Sequence, residues 1–95
     1  MTDQEPNNRE TRVTRGGILL RQWLAREDAP SQGELAYQLG VSQSAISNLV
    51  RGYQRPSLAL SCLIQARTRT AVRVTDWLDD EEATRYEEFQ RTKLV

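Results

Sequence analysis

Gln43, Ser44, Ser47, Asn48 and Arg51 are the residues of this chain whose types and spacing suggest chemistry most directly. At intervals of one, three and four along a helix they fall on a single stripe. Amides and hydroxyls both donate and accept hydrogen bonds, and the stripe ends in a cation. A helix presenting them outward fits the major groove of duplex DNA, where each base pair shows its own donor and acceptor pattern. Gln43 leads, because a glutamine amide pairs bidentately with adenine, worth about 1–3 kcal/mol of discrimination. Ser44 and Asn48 are secondary base readers, and Ser47 shares their stripe. No lysine or arginine stands between Ser42 and Val50, so adenine and thymine contacts should outnumber arginine–guanine ones. Phosphate contacts flank the stripe. Gln32 and Ser42 open two short helices whose free N–H groups face the DNA backbone. Arg51, Gln54 and Arg55 lie at or just beyond the end of the reading helix, with Tyr53 open between phosphate contact and loop packing. Arg12 and Arg15 reach along the backbone from the N-terminal side.

Other chemistries have little to work with. The chain has no histidine and one cysteine, Cys62, so Cys/His zinc sites and Ser-His-Asp or Cys-His pairs cannot form within it. Neither a calcium loop nor a Gly-rich phosphate loop accompanies its acids. Catalysis, a metal and a cofactor are therefore not expected. Cys62 itself reads as a small core residue rather than a sensor. At 95 residues and 38% apolar content, one domain with one modest core is expected. No stretch approaches the ~20 apolar residues of a membrane span, and no signal-peptide pattern opens the chain, so a cytoplasmic protein is expected.

The elements that must hold the stripe follow from periodicity and punctuation. Residues 1–15 are polar and read as a flexible arm. Thr14 caps a first helix, weakened at its start by Gly16 and Gly17, in which Ile18, Leu20, Trp23 and Leu24 mark successive turns. Asp28-Ala29-Pro30 should end it. Ser31 and Glu34 have capping-box spacing and open a second helix, Gln32–Leu39, that buries Leu35, Ala36 and Leu39. Gly40 stops it. Ser42 caps a third helix, about Gln43–Val50, burying Ala45, Ile46 and Leu49, and Gly52 stops that one. Ser57 caps a fourth, about Leu58–Thr68, whose apolar positions cover more than one face and should be well buried. After a β-branched, basic connection at 69–74, Thr75 caps a short fifth helix with Trp77 and Leu78. Both tryptophans read as core aromatics. No strand pattern or repeat appears. The fold class is all-α.

In the twenty residues from Gln32 to Arg51, apolar side chains fall at positions 4, 8, 10, 15 and 18, with Ala36 at position 5 and Gly40 at position 9. Two short helices that cross steeply need small residues where they approach and a residue tolerant of positive φ between them. This window resembles the Cro and lambda-repressor-like helix-turn-helix family of phage and bacterial regulators. The resemblance is carried by Ser31-Gln32, Glu34-Leu35-Ala36, Leu39-Gly40-Val41-Ser42-Gln43 and Ile46-Ser47. Arg51-Gly52, Arg55-Pro56-Ser57 and Val74–Leu78 continue it, so that it covers about residues 16–78. It implies a five-helix bundle acting as a homodimer on an approximately palindromic operator, with Gln32 packed on a phosphate and Gln43 reading a base. Two departures stand out: Gly33 replaces a helix former, and the connection through Arg67-Thr68-Arg69-Thr70-Ala71-Val72 is longer than the commonest form.

The formal charge is zero, but it is unevenly placed. Residues 16–78 carry seven arginines against four acids, a net +3, and residues 79–95 carry three basic against six acidic residues, a net −3. The basic middle suits an anionic partner. In the tail, early acids, late Arg91 and Lys93, and the pairs Glu81–Arg85 and Glu87–Arg91 suit a sixth helix. Leu78, Tyr86 and Phe89 form a thin apolar stripe on it. Bundle extension, dimerisation, a docked protein partner and a frayed tail all remain open there. The organisation expected is an arm (1–15), a DNA-binding domain (16–78) and an acidic tail or helix (79–95). The function expected is that of a sequence-specific transcriptional regulator, a repressor, bound to double-stranded DNA as a homodimer. The competing reading is an antitoxin or anti-repressor gripping a protein partner through residues 79–95.

Overall fold

The computed structural model describes residues 13–92. The expected arm, with Arg9 and Arg12, and the end of the tail at Lys93 therefore lie largely outside the described residues. Among the described residues there are five α-helices, one 3-10 turn and no strand: α1 (Arg15–Leu24), α2 (Gln32–Leu39), α3 (Gln43–Arg51), α4 (Leu58–Arg67), the 3-10 turn Val74–Trp77, and α5 (Asp80–Thr92). The short fifth helix expected with Thr75 as its cap is instead that 3-10 turn, which starts at Val74 with Arg73 at its N-cap and Thr75 inside it, and the sixth element expected in the tail is α5.

The first four helices each begin on a hydroxyl that satisfies an otherwise free N–H. Thr14 accepts from Gly17, Ser31 from Glu34, Ser42 from Ala45 and Ser57 from Leu60. At α2 the cap is reciprocal, since Glu34 Oε1 accepts the Ser31 N–H at 3.1 Å. Gly40 and Gly52 end α2 and α3 at φ 76° and 84°, the left-handed conformation that glycine takes without a Cβ clash.

The core gathers Leu20, Trp23, Leu35, Ala36, Ile46, Leu49, Val50, Ile64, Val72 and Trp77. Of the window's apolar residues, Leu35, Ala36, Ile46, Leu49 and also Val50 are buried, while Leu39 and Val41 pack half-buried against them. Ala45 is half-buried as well.

Three sequence expectations are corrected. First, α1 stops at Leu24 rather than near Asp28. Ala25 and Arg26 close tight turns onto Arg21, Gln22 and Trp23 carbonyls, and the acids Glu27 and Asp28 would be repelled by the negative end of a longer helix. The inner face of α1 also runs through Gly16, Gly17, Leu20 and Trp23, leaving Ile18 exposed. Second, α4 buries only Ser61 and Ile64. Leu58, Cys62, Leu63 and Ala66 are exposed, because ten residues offer one face to a core this small. Third, Cys62 is consequently a surface thiol.

The long connection after α4 has its own logic. Arg69 and Thr70 both take positive φ, 54° and 67°, uncommon for residues bearing a Cβ. They turn the chain so that Val72 drops fully into the core. Thr68 secures the turn, donating to the Ile64 carbonyl at 2.8 Å and accepting the Val72 N–H at 3.2 Å.

Candidate nucleic-acid interface

The corner between α2 and α3 fixes the direction of the stripe. Val41 N–H reaches the Ala36 carbonyl at 3.0 Å and Gly40 N–H the Tyr37 carbonyl at 3.2 Å, so two of the carbonyls left free at the end of α2 are satisfied within the turn. Ser42 is then already extended, and α3 begins at the next residue. Ile46, Leu49 and Val50 face the core. The opposite face is left to the polar residues.

Gln43 and Ser44 are exposed on the first turn of α3, and Ser47 and Asn48 are partly exposed on the next. Ser42 and Ser44 hydroxyls lie 3.3 Å apart, so the cap and its neighbour share an orientation. Gln43 also leans toward α2: its Oε1 is 3.2 Å from the place a Cβ at Gly33 would occupy. The starts of α2 and α3 therefore adjoin at Gly33, and Gln32 is half-buried just before it at the first position of α2. Gly33, a departure from the family pattern, leaves room for the Gln43 amide.

The far end of α3 is equally ordered. The Asn48 carbonyl accepts the Tyr53 N–H at 2.9 Å, and the Asn48 side-chain amide donates to Gln54 Oε1 at 3.4 Å. Arg51 lies over the Tyr53 ring, 5.8 Å from its centre, within cation–π range. Arg51, Tyr53 and Gln54 are thus grouped and exposed beside the last turn of α3. Arg55, next along the loop, is paired with α5 instead, with Nη1 2.6 Å from Glu82 Oε1. Arg15, at the start of α1, lies 3.4 Å from buried Asp76 through its Nε.

The electrostatics at this edge are set by that pairing. Hydrogen bonding to Arg55, seconded by the Asp79 backbone N–H, holds the Glu82 carboxyl below the ordinary glutamate range. The same hydrogen bond raises Arg55 further. Sequence reasoning missed Glu82 and Asp79 because the contact spans 27 residues. The local signal was the second capping box, in which Asp79 Oδ1 accepts the Glu82 N–H at 2.8 Å and Glu82 Oε1 accepts the Asp79 N–H at 2.9 Å.

With this geometry in view, residues 31–66 match the family model described as helix-turn-helix. Over this stretch the match supports a helix-turn-helix of the Cro and lambda-repressor-like family. It supports a DNA-binding helix-turn-helix regulator. The match starts at the Ser31 cap and runs through α2, the Gly40 corner, α3 and nearly all of α4. No curated protein and no solved structure matches the chain. No helix among the described residues is long and apolar enough to cross a membrane.

Proposed function

We propose that this helix-turn-helix protein is a sequence-specific transcriptional repressor that binds a palindromic operator as a homodimer. The observation that carries it is the outward, capped start of α3, with Gln43 and Ser44 exposed and Ser47 and Asn48 partly so on one stripe. N-terminal residues of such a helix ordinarily meet base edges. Gln43 reads a base, with Ser44, Ser47 and Asn48 beside it. Gln32 and Ser42 bring helix-start N–H groups to phosphates, and Arg51, Tyr53 and Gln54 take a neighbouring phosphate beyond α3. Arg55 joins them when its guanidinium is free.

A single helix with few cations binds weakly alone. Two copies with their α3 helices about 34 Å apart span successive major grooves on one face of the duplex, and occupancy excludes polymerase without any catalysis. Such a repressor works in the cytoplasm. Selection of bound duplexes from a random pool, repeated at two salt concentrations, tests the proposal. A two-fold symmetric consensus is expected, and recovery of no consensus would overturn it.

A second reading, an antitoxin or anti-repressor acting through the tail, is favoured by one observation. α5 buries none of its residues and exposes Phe89 and Tyr86. Deleting residues 79–95 separates the two: lost biological function with DNA affinity intact supports the protein-partner reading.

A further inference from the structure

Arg55 follows α3 by four residues, yet α5 holds its guanidinium. Nη1 donates to Glu82 Oε1 at 2.6 Å and to the Trp77 carbonyl at 3.2 Å, while Nη2 lies 3.5 Å from Glu82 Oε2 and 3.8 Å from Asp79 Oδ2. The reciprocal cap between Asp79 and Glu82 builds this carboxylate pair and aims it. Two carboxylates against one cation leave the spot negative where a phosphate would approach. Arg55 and Glu82 side chains remain 46% and 42% exposed, and exposed pairs of this kind are held weakly enough to exchange. Among the described residues α5 buries no side chain, so little besides this pairing holds it.

We propose that the start of α5 is an intramolecular competitor of DNA: Glu82, backed by Asp79, occupies Arg55 in place of a backbone phosphate. Bidentate carboxylate and phosphate recognition use the same guanidinium donors. Binding DNA with this loop therefore requires Arg55 to leave Glu82, and the protein binds less tightly than its reading helix allows. The inference rests on the DNA-binding function proposed above.

Glu82→Gln tests it, because glutamine also serves in a capping box but carries no charge. Glu81→Gln, on the next residue, removes the same charge without an Arg55 contact. Affinity for the selected duplex is measured by fluorescence anisotropy for the full chain and both variants at 50 and 200 mM salt. Glu82→Gln is expected to bind about tenfold tighter at the lower salt, its advantage shrinking roughly threefold at the higher. Glu81→Gln should gain about twofold at most through screened, longer-range charge. Placed on an Arg55→Ala background, Glu82→Gln should gain no more than Glu81→Gln, as a double-mutant cycle requires when the two residues act on each other. Wild-type binding with equal gains from Glu81→Gln and Glu82→Gln, or an undiminished Glu82→Gln gain without Arg55, overturns the competitor alone. Failure of every form to bind any duplex at low salt overturns the DNA-binding function instead.

Discussion

Gln43 is placed by two short-range facts, the Ser42 cap that starts α3 beneath it and the missing Cβ at Gly33 that admits its amide. Replacing Gln43 by Ala should relax preference at one base position, by about 1–3 kcal/mol of discrimination, with little change at the others. Affinities for a set of singly substituted operator duplexes check this. Equal losses on every duplex would remove Gln43 as a reader. Gly33→Ala separates fold from function at the same spot. A methyl there is crowded only by the movable end of Gln43 at 3.2 Å, with Ser31 Oγ in ordinary contact at 3.9 Å, and alanine favours a helix over glycine by up to about 1 kcal/mol. Thermal unfolding should show unchanged or higher stability while the operator preference at the Gln43 position weakens. Gln43 was legible in the sequence because cap, glycine and periodicity are local. The role of Gly33 was not, since its partner lies on the following helix, ten residues on.

At the scale of elements, the glycines of α1 do the joining. A Cβ on Gly17 would lie 2.8 Å from the Leu49 backbone oxygen, and one on Gly16 would lie 2.6 Å from Trp77 Cε3 and 2.8 Å from Cε2. Neither a backbone carbonyl nor a buried indole can yield cheaply. Gly17→Ala should cost about 1–3 kcal/mol in denaturant unfolding, as overpacking does, and it should displace α3 and weaken DNA binding in the folded fraction. Unchanged stability would contradict the close approach. In the sequence the glycine pair reads only as a weak helix start, because propensity carries no information about what packs outside. Periodicity misled at α4 for a related reason: apolar residues on several faces predict burial only when the molecule has enough neighbours to cover them. The tie between Arg55 and Glu82 also has a pH signature. Glu82 is held below its ordinary range in the folded chain, so the stabilisation is present above the ordinary glutamate value, about 4.3, and is lost as pH falls through the depressed one. A carboxyl titration followed by NMR should place Glu82 below the ordinary value, and Arg55→Ala should raise it toward that value, the Asp79 N–H still holding it somewhat down. A midpoint at the ordinary value in the intact chain would refute the pairing.

Over the whole molecule, the net charge of zero conceals a division of labour between a basic body and an acidic end. In sequence, only Arg51 and Arg55 adjoin α3, and the acids of the 79–82 run sit beside the second of them. Composition alone argues against an anionic partner, and only position along the chain reveals one. The four-helix frame, its caps and its corner were readable from spacing, since each is a decision made within a few residues. The left-handed turn at Arg69 and Thr70, and the docking of α5 on Arg55, arise from contacts between distant segments and have no local pattern. The most direct test of the central claim, that the start of α3 meets nucleobase edges, is an NMR titration of the labelled full chain with the selected duplex. The prediction is that the backbone amides of residues 42–48 and the side-chain amides of Gln43 and Asn48 shift most. Shifts confined to α4 or α5, with the start of α3 unmoved, would contradict it.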